Sequence, residues 1–199
     1  MAKYRINKLK KKRNYFGLGW DYIRKSKNYI IFISLLFFIF VFLALIFDAP
    51  EIIREAIQKL LNEIIETTKD KTGIEMIVHL FQNNLKVSFM GLVFGILFGI
   101  VPLILCVVNG YVLGYVLKFV ADQEGIYYLW RIFPYGIFEL PAVLIGLGLG
   151  LKLGMGLFSR NPDKEIARRF KLRLKSFLIV LLLLLTAAII EGTLISFLK

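Results

Sequence analysis

Polar and apolar positions in this chain are segregated into blocks, and several of the apolar blocks have membrane dimensions. Tyr29 to Phe47 is an uncharged apolar run, close to the roughly 20 residues a helix needs to cross a bilayer core. Val87 to Val120 is longer and is interrupted strongly only by Asn109 and Lys118. Phe133 to Phe158 and Phe177 to Leu198 follow. The pattern predicts an all-α, polytopic membrane protein with about five membrane helices.

Between the first two runs the pattern changes character. From Asp48 to Lys71, Ile52, Ala56, Leu60 and Ile64 recur every four residues, with Ile53, Ile57, Leu61 and Ile65 beside them. Glu51, Arg54, Glu55, Gln58, Lys59, Asn62, Glu63 and Glu66 fill the opposite face. That is an amphipathic helix. Asp48 with Glu51 resembles a capping box and Pro50 suits a first turn. The stripe Ile52, Ile53, Ile57, Leu60, Leu61 and Ile64 must lie on the membrane surface, on the protein's own helices, or on a partner. Thr72 and Gly73 are expected to end this helix, and Ile74 to Gln82 to form a short connector.

At 1.5 Å per residue the 87–120 run would extend about 50 Å, against a hydrocarbon core of about 30 Å. It is too long for one straight span and short for two full ones. Pro102 and Asn109-Gly110 are the expected breaks, giving short spans at 84–101 and 103–120, or a re-entrant pair.

Charge sets the expected orientation. Residues 1–28 hold ten Lys/Arg and one Asp, and residues 157–175 hold seven Lys/Arg and two acids. Residues 48–80 hold seven acids and four basic groups. Basic segments flanking spans favour the cytoplasm, so the N-terminus and 159–175 are placed inside and 48–80 outside. Both basic segments share one side only if 87–120 goes in and comes back. The organisation expected is therefore a basic cytoplasmic segment, 1–28, and a single helical membrane domain, 29–199. Within that domain the spans are 29–47, the short pair, 133–158 and 177–198, with the C-terminus outside. The first run is longer than the roughly 7–15 residues of a signal-peptide core and stays bulky to its end, so it reads as a retained helix in the cell membrane.

Composition then removes several functions. The net charge of +12 lies in span-flanking clusters, so it indicates topology and not nucleic-acid binding. Lys8, Lys10, Lys11, Lys12 and Arg13 are candidates for anionic lipid headgroups. One cysteine, Cys106, and one histidine, His79, leave no disulfide framework, no metal site of the usual ligand density and no credible nucleophile–base set. No cofactor and no enzymatic activity are expected.

Small residues are more informative. Gly91, Gly95 and Gly99 recur every four residues, as do Ala142, Gly146, Gly150 and Gly154, and Gly110 and Gly114 repeat the spacing. Such ladders let helix backbones approach closely, within one chain or in a homo-oligomer. Asn84, Ser88 and Glu139 project with the two longer ladders, so they are expected to converge where those ladders cross. Ionisable groups at membrane helices are functional candidates. Glu191, the second embedded carboxylate, is placed at the outer interface. Arg131 and Lys152 are candidate counter-charges, Lys152 being positioned to snorkel.

The stretch FQNNLKVSFMGLVFGILFGIVPLILCVVNGYVLG followed by PYGIFELPAVLIGLGLGLKLG resembles the stage II sporulation protein M family. The matching positions are Asn83, Asn84, Asn109, Gly110, Gly114, Pro134, Gly136 and Glu139. Tyr135 stands where that family usually has histidine, so no proton-transfer or metal role is carried over to it. The resemblance implies a multi-spanning membrane protein. The namesake holds peptidoglycan-remodelling enzymes at the septal membrane, while relatives occur in organisms that form no spores. Two functions are therefore expected to compete. One is a non-enzymatic scaffold organising other membrane or envelope proteins. The other is a small-solute or ion transporter using the broken helix pair and Glu139, although no inverted repeat is visible.

Overall fold

The computed structural model describes residues 15–71, 73–131 and 133–198. The basic run Lys8 to Arg13 lies outside them. Among the described residues there are seven α-helices and no strand: α1 Tyr15–Arg24, α2 Lys27–Ile46, α3 Glu51–Thr68, α4 Gly73–Phe94, α5 Ile100–Glu124, α6 Phe133–Gly154 and α7 Pro162–Leu198, with a 3-10 turn at Ile126–Arg131. The fold is that of a polytopic α-helical membrane protein.

Four segments are long and apolar enough to cross a membrane: Lys27–Ile46, Ile100–Glu124, Ile137–Gly154 and Pro162–Leu194. α4 is not among them because Glu75, His79, Gln82, Asn83, Asn84 and Lys86 dilute its apolar content. Packing nevertheless seats it within the bundle, alongside α6 and α7. Its first turns lie against α7, where a Cβ on Gly192 would approach the Ile77 backbone within 3.1 Å. The glycine just beyond its end, Gly95, is seated on the backbone of Gly150 in α6.

α6 is the axle of the bundle. It packs against α2, α4, α5 and α7, and residues 142–144 and 146–154 are buried. Glycines on different faces make this possible. Gly146, Gly150 and Gly154 turn toward α4 and the turn that follows it, whereas a Cβ on Gly148 would sit 2.8 Å from Cα of Ile30 in α2. On α2, Ile33, Phe37, Val41 and Ala44 are the buried stripe. Ile31, Leu35, Phe38, Ile39 and Phe42 on its other face are exposed, as lipid-facing positions are. The stripe seats on Cys106, Gly110 and Gly114 of α5. Cys106 Sγ donates to the Ile33 carbonyl at 3.2 Å, and a Cβ on Gly110 would lie 2.6 Å from the Phe37 carbonyl oxygen. Lys118 Nζ meets Asp48 Oδ1 at 2.7 Å. These contacts advance together along both chains, so α2 and α5 are parallel. α4 and α6 are parallel by the same reasoning.

Several expected boundaries move. The break in the long apolar run falls at 95–99, not at Pro102 or Asn109-Gly110. Pro102 occupies the first turn of α5, where a missing N–H leaves no bond unmade. Asn109 returns its side-chain N–H to the Leu105 carbonyl at 2.7 Å, and Gly110 serves the approach to α2. The turn itself uses left-handed backbone at Phe98 (φ 53°) and Gly99 (φ 75°). Gly95 and Gly99 therefore lie in the turn and not inside a helix, yet both still pack on α6, against Gly150 and Leu151.

The expected connector, Ile74 to Gln82, is helical and continuous with α4. Most of the segment expected as the loop 159–175, from Pro162 on, forms the start of α7, whose 37 residues extend about 55 Å at 1.5 Å each, well beyond a bilayer core. Pro162 and the first-turn acids Asp163 and Glu165 explain why. Glu165 Oε1 also accepts from Arg168 Nη2 and from Arg169 Nε, both at 2.7 Å. The expected capping role of Asp48 is not seen either. Its carboxylate binds Lys118, and α3 starts on the Pro50 carbonyl, which accepts from the N–H groups of Ile53 and Arg54 at 2.9 Å each.

Candidate functional site

Three helices bring polar groups together near the end of the bundle remote from the basic segments. α4 carries Asn84 and Ser88 one turn apart. α6 carries Glu139 in its second turn. α7 contributes Glu191 beside Gly192. Asn84 lies close enough to Glu139 to act on its carboxylate, and Glu191 stands within Coulombic reach of Glu139. Ser88 is fully buried against Gly146, and its hydroxyl has no hydrogen-bond partner. Glu191 Oε2 is likewise buried without one. Removing such atoms from water unpaired costs about 1–3 kcal/mol each, so the cluster carries unmet hydrogen-bonding capacity.

Not every candidate belongs to it. Asn83 is exposed. Asn109 and Gly110 lie on α5 at the α2 seam. Pro134 and Gly136 fall in the first turn of α6, where side chains are outside the described residues, as is the side chain of Arg131. Ala142 continues the Glu139 face inward and is fully buried. Lys152 is no counter-charge to this cluster, and it does not snorkel to water. Its Nζ donates to the Lys25 carbonyl and to Ser26 Oγ, both at 2.9 Å, at the C-terminal end of α1, where carbonyls attract a cation. Arg169 Nη1 in turn donates to the Lys152 carbonyl, capping α6.

Glu191, expected at the outer interface, stands beside Glu139 at that end of the bundle. The usable signal was Ala188 and Gly192 at four-residue spacing on α7, which fixes that face against α4 and carries Glu191 inward. No group of three or more His, Cys, Asp and Glu side chains able to hold a metal ion occurs among the described residues.

α3 is the second candidate surface. It makes no substantial packing with the other helices, and Ile52, Ile53 and Leu60 are exposed while Ile57 is buried. Side chains of Leu61 and Ile64 lie outside the described residues.

A single bundle of apolar helices, closed by glycine seams and holding carboxylates within it, defines a multi-pass helical membrane protein. The chain belongs to the Stage II sporulation protein M family, which it matches over residues 29–194. It is 28% identical over 183 residues to an uncharacterized protein of Methanocaldococcus jannaschii, covering 85% of this chain and 82% of that one. No solved structure matches it.

Proposed function

We propose that this protein is a non-enzymatic membrane scaffold that organises partner proteins, with its basic end in the cytoplasm and α3 on the outer face. The observation that carries this reading is α3 itself. It is an 18-residue amphipathic helix, tethered at both ends to traversing helices, with Ile52, Ile53 and Leu60 unpacked between acidic neighbours. A helix with that stripe serves recognition by laying it into a groove. The rigid bundle below fixes where the stripe is presented. A photo-crosslinking residue at Ile53 in native membranes should give one discrete adduct, lost in the Ile52→Ser/Leu60→Ser variant. Crosslinks to lipid alone would remove the scaffold reading and leave α3 as a surface float.

A second reading rests on the proximity of Asn84 to Glu139 and the neighbouring Glu191. Embedded carboxylates with amide partners are the groups through which proton- or cation-coupled transporters work. In proteoliposomes, Glu139→Gln should abolish flux if the cluster couples transport. A scaffold should retain its assembly, because the amide keeps shape and hydrogen bonding.

A further inference from the structure

The opposite end of the bundle holds a buried charge with no hydrogen-bond partner. Arg173, near the start of α7, is fully buried, and none of its three guanidinium nitrogens has a hydrogen-bond partner. Its only described ring contact is Phe170, with Cζ 5.2 Å from the ring centroid. Beside it α1 crosses α7, held there by Ser176 Oγ donating to the Gly19 carbonyl at 2.9 Å. Tyr22 of α1 is 3% exposed, and its hydroxyl too has no partner. Burial pushes that phenol up to about 12, against the pull of Arg169, Arg173 and Arg168 and with the help of Glu165.

Tyr22 also faces a cavity of about 150 Å³, whose other polar walls are Asp21, Lys25, Lys152 and Arg168. Lys25, Lys152 and Arg168 face one wall acid, Asp21. Arg168 is already paired with Glu165, and Lys152 Nζ, 4.3 Å from the Tyr22 ring centroid, has two of its three donors engaged. Leu18 and Leu172 complete the wall. Outside it, Trp20, Phe170 and Leu174 are exposed in the position of an interfacial apolar belt. A buried cation without a partner is strongly destabilising unless an anion supplies one. Here the unpartnered Tyr22 residue lines the cavity, and Arg173 stands behind that wall, near enough to act on Tyr22 through space.

We propose that this cavity binds a phosphoryl group, that of an anionic phospholipid, with the phosphate taking the Tyr22 hydroxyl, the third donor of Lys152 and the Arg168 nitrogen that Glu165 leaves unengaged, while offsetting the charge of Arg173 from across the wall. The acyl chains then run along Trp20, Phe170 and Leu174. This site is separate from α3 and stands whether or not the scaffold reading does.

The test uses the full-length protein in mild detergent. A fluorogenic thiol dye follows thermal unfolding, since Cys106 is the one cysteine and is buried. Phosphatidylglycerol should raise the melting temperature by several degrees, whereas phosphatidylcholine and inorganic phosphate at equal concentration should not. Tyr22→Phe should remove at least half of that shift and Arg173→Met nearly all of it. In lipid-free detergent Arg173→Met should melt no lower than the parent, because its unpaired charge is gone. Equal shifts from the two lipids, or a full shift in both variants, would overturn the site. An inorganic-phosphate shift lost in Tyr22→Phe would keep the site and assign it to free phosphate. If Arg173→Met does not fold, the Tyr22→Phe comparison decides alone.

Discussion

Gly150 and Gly17 pose the same chemical question and receive opposite answers. A methyl on Gly150 would run into the Gly91 carbonyl oxygen and come within 2.9 Å of Pro102 Cγ, whereas one on Gly17 would meet nothing within 4 Å. Gly150→Ala should therefore lower stability by about 1–3 kcal/mol through overpacking. Gly17→Ala, in an exposed turn of α1, should raise it by about 0.5–1 kcal/mol. Melting temperatures of the two variants against the parent decide this, and similar shifts in both would refute the seam. Cys106 offers a second residue-scale prediction. Fully buried and turned toward the Ile33 carbonyl, it should resist maleimide in the native protein and label to completion in denaturant. Labelling of the native form would mean that the α2–α5 seam opens. Gly150 was legible in the sequence as a rung of a four-residue ladder, because that spacing is a geometric signal. The partners of each glycine were not, since spacing reports a face and not what covers it.

Among the elements, the loop between α2 and α3 is tied to α5 by one exposed ion pair, Asp48–Lys118. The hydrogen bond and the charge of Lys118 hold the Asp48 carboxyl below its ordinary value. A carboxylate depressed in the folded state stabilises above the unfolded value of about 3.9, and that contribution disappears as pH falls through the depressed value. In low salt the melting temperature of Asp48→Asn should thus fall slightly below the parent's at pH 7 and converge with it in strong acid. High salt should erase the gap at every pH, because exposed pairs are screened. A gap that survives 1 M salt would show that Asp48 acts by something other than charge. The amphipathic α3 could be read from periodicity alone, since its polar face is complete. The hairpin turn could not. Gly95 and Gly99 fit a packing ladder and a turn equally well, and Pro102, the apparent breaker, is harmless in a first turn. The start of α7 was hidden by its charges, which read as a loop although Pro162, Asp163 and Glu165 are helix-opening residues.

For the whole molecule, the parallel pairs α2–α5 and α4–α6 require the chain to cross an odd number of times between the two basic segments and the C-terminal end. Reporter fusions after Gly125 and within α3 should therefore fall on one side of the membrane and a fusion at Asn161 on the other, with the Asn161 reporter cytoplasmic under the proposed orientation. The same side for Gly125 and Asn161 would dismantle the topology. The parallel seam between α2 and α5 also has a bearing on how the protein is made. Ile33 waits for Cys106, 73 positions later, and a contact that distant in sequence forms late. During synthesis α2 must therefore reside in the bilayer with Ile33, Phe37 and Val41 covered by lipid or by the insertion machinery, until α5 emerges to displace it. A ribosome stalled before Cys106 would leave a complete first span with no seat, a defect for membrane quality control to recognise.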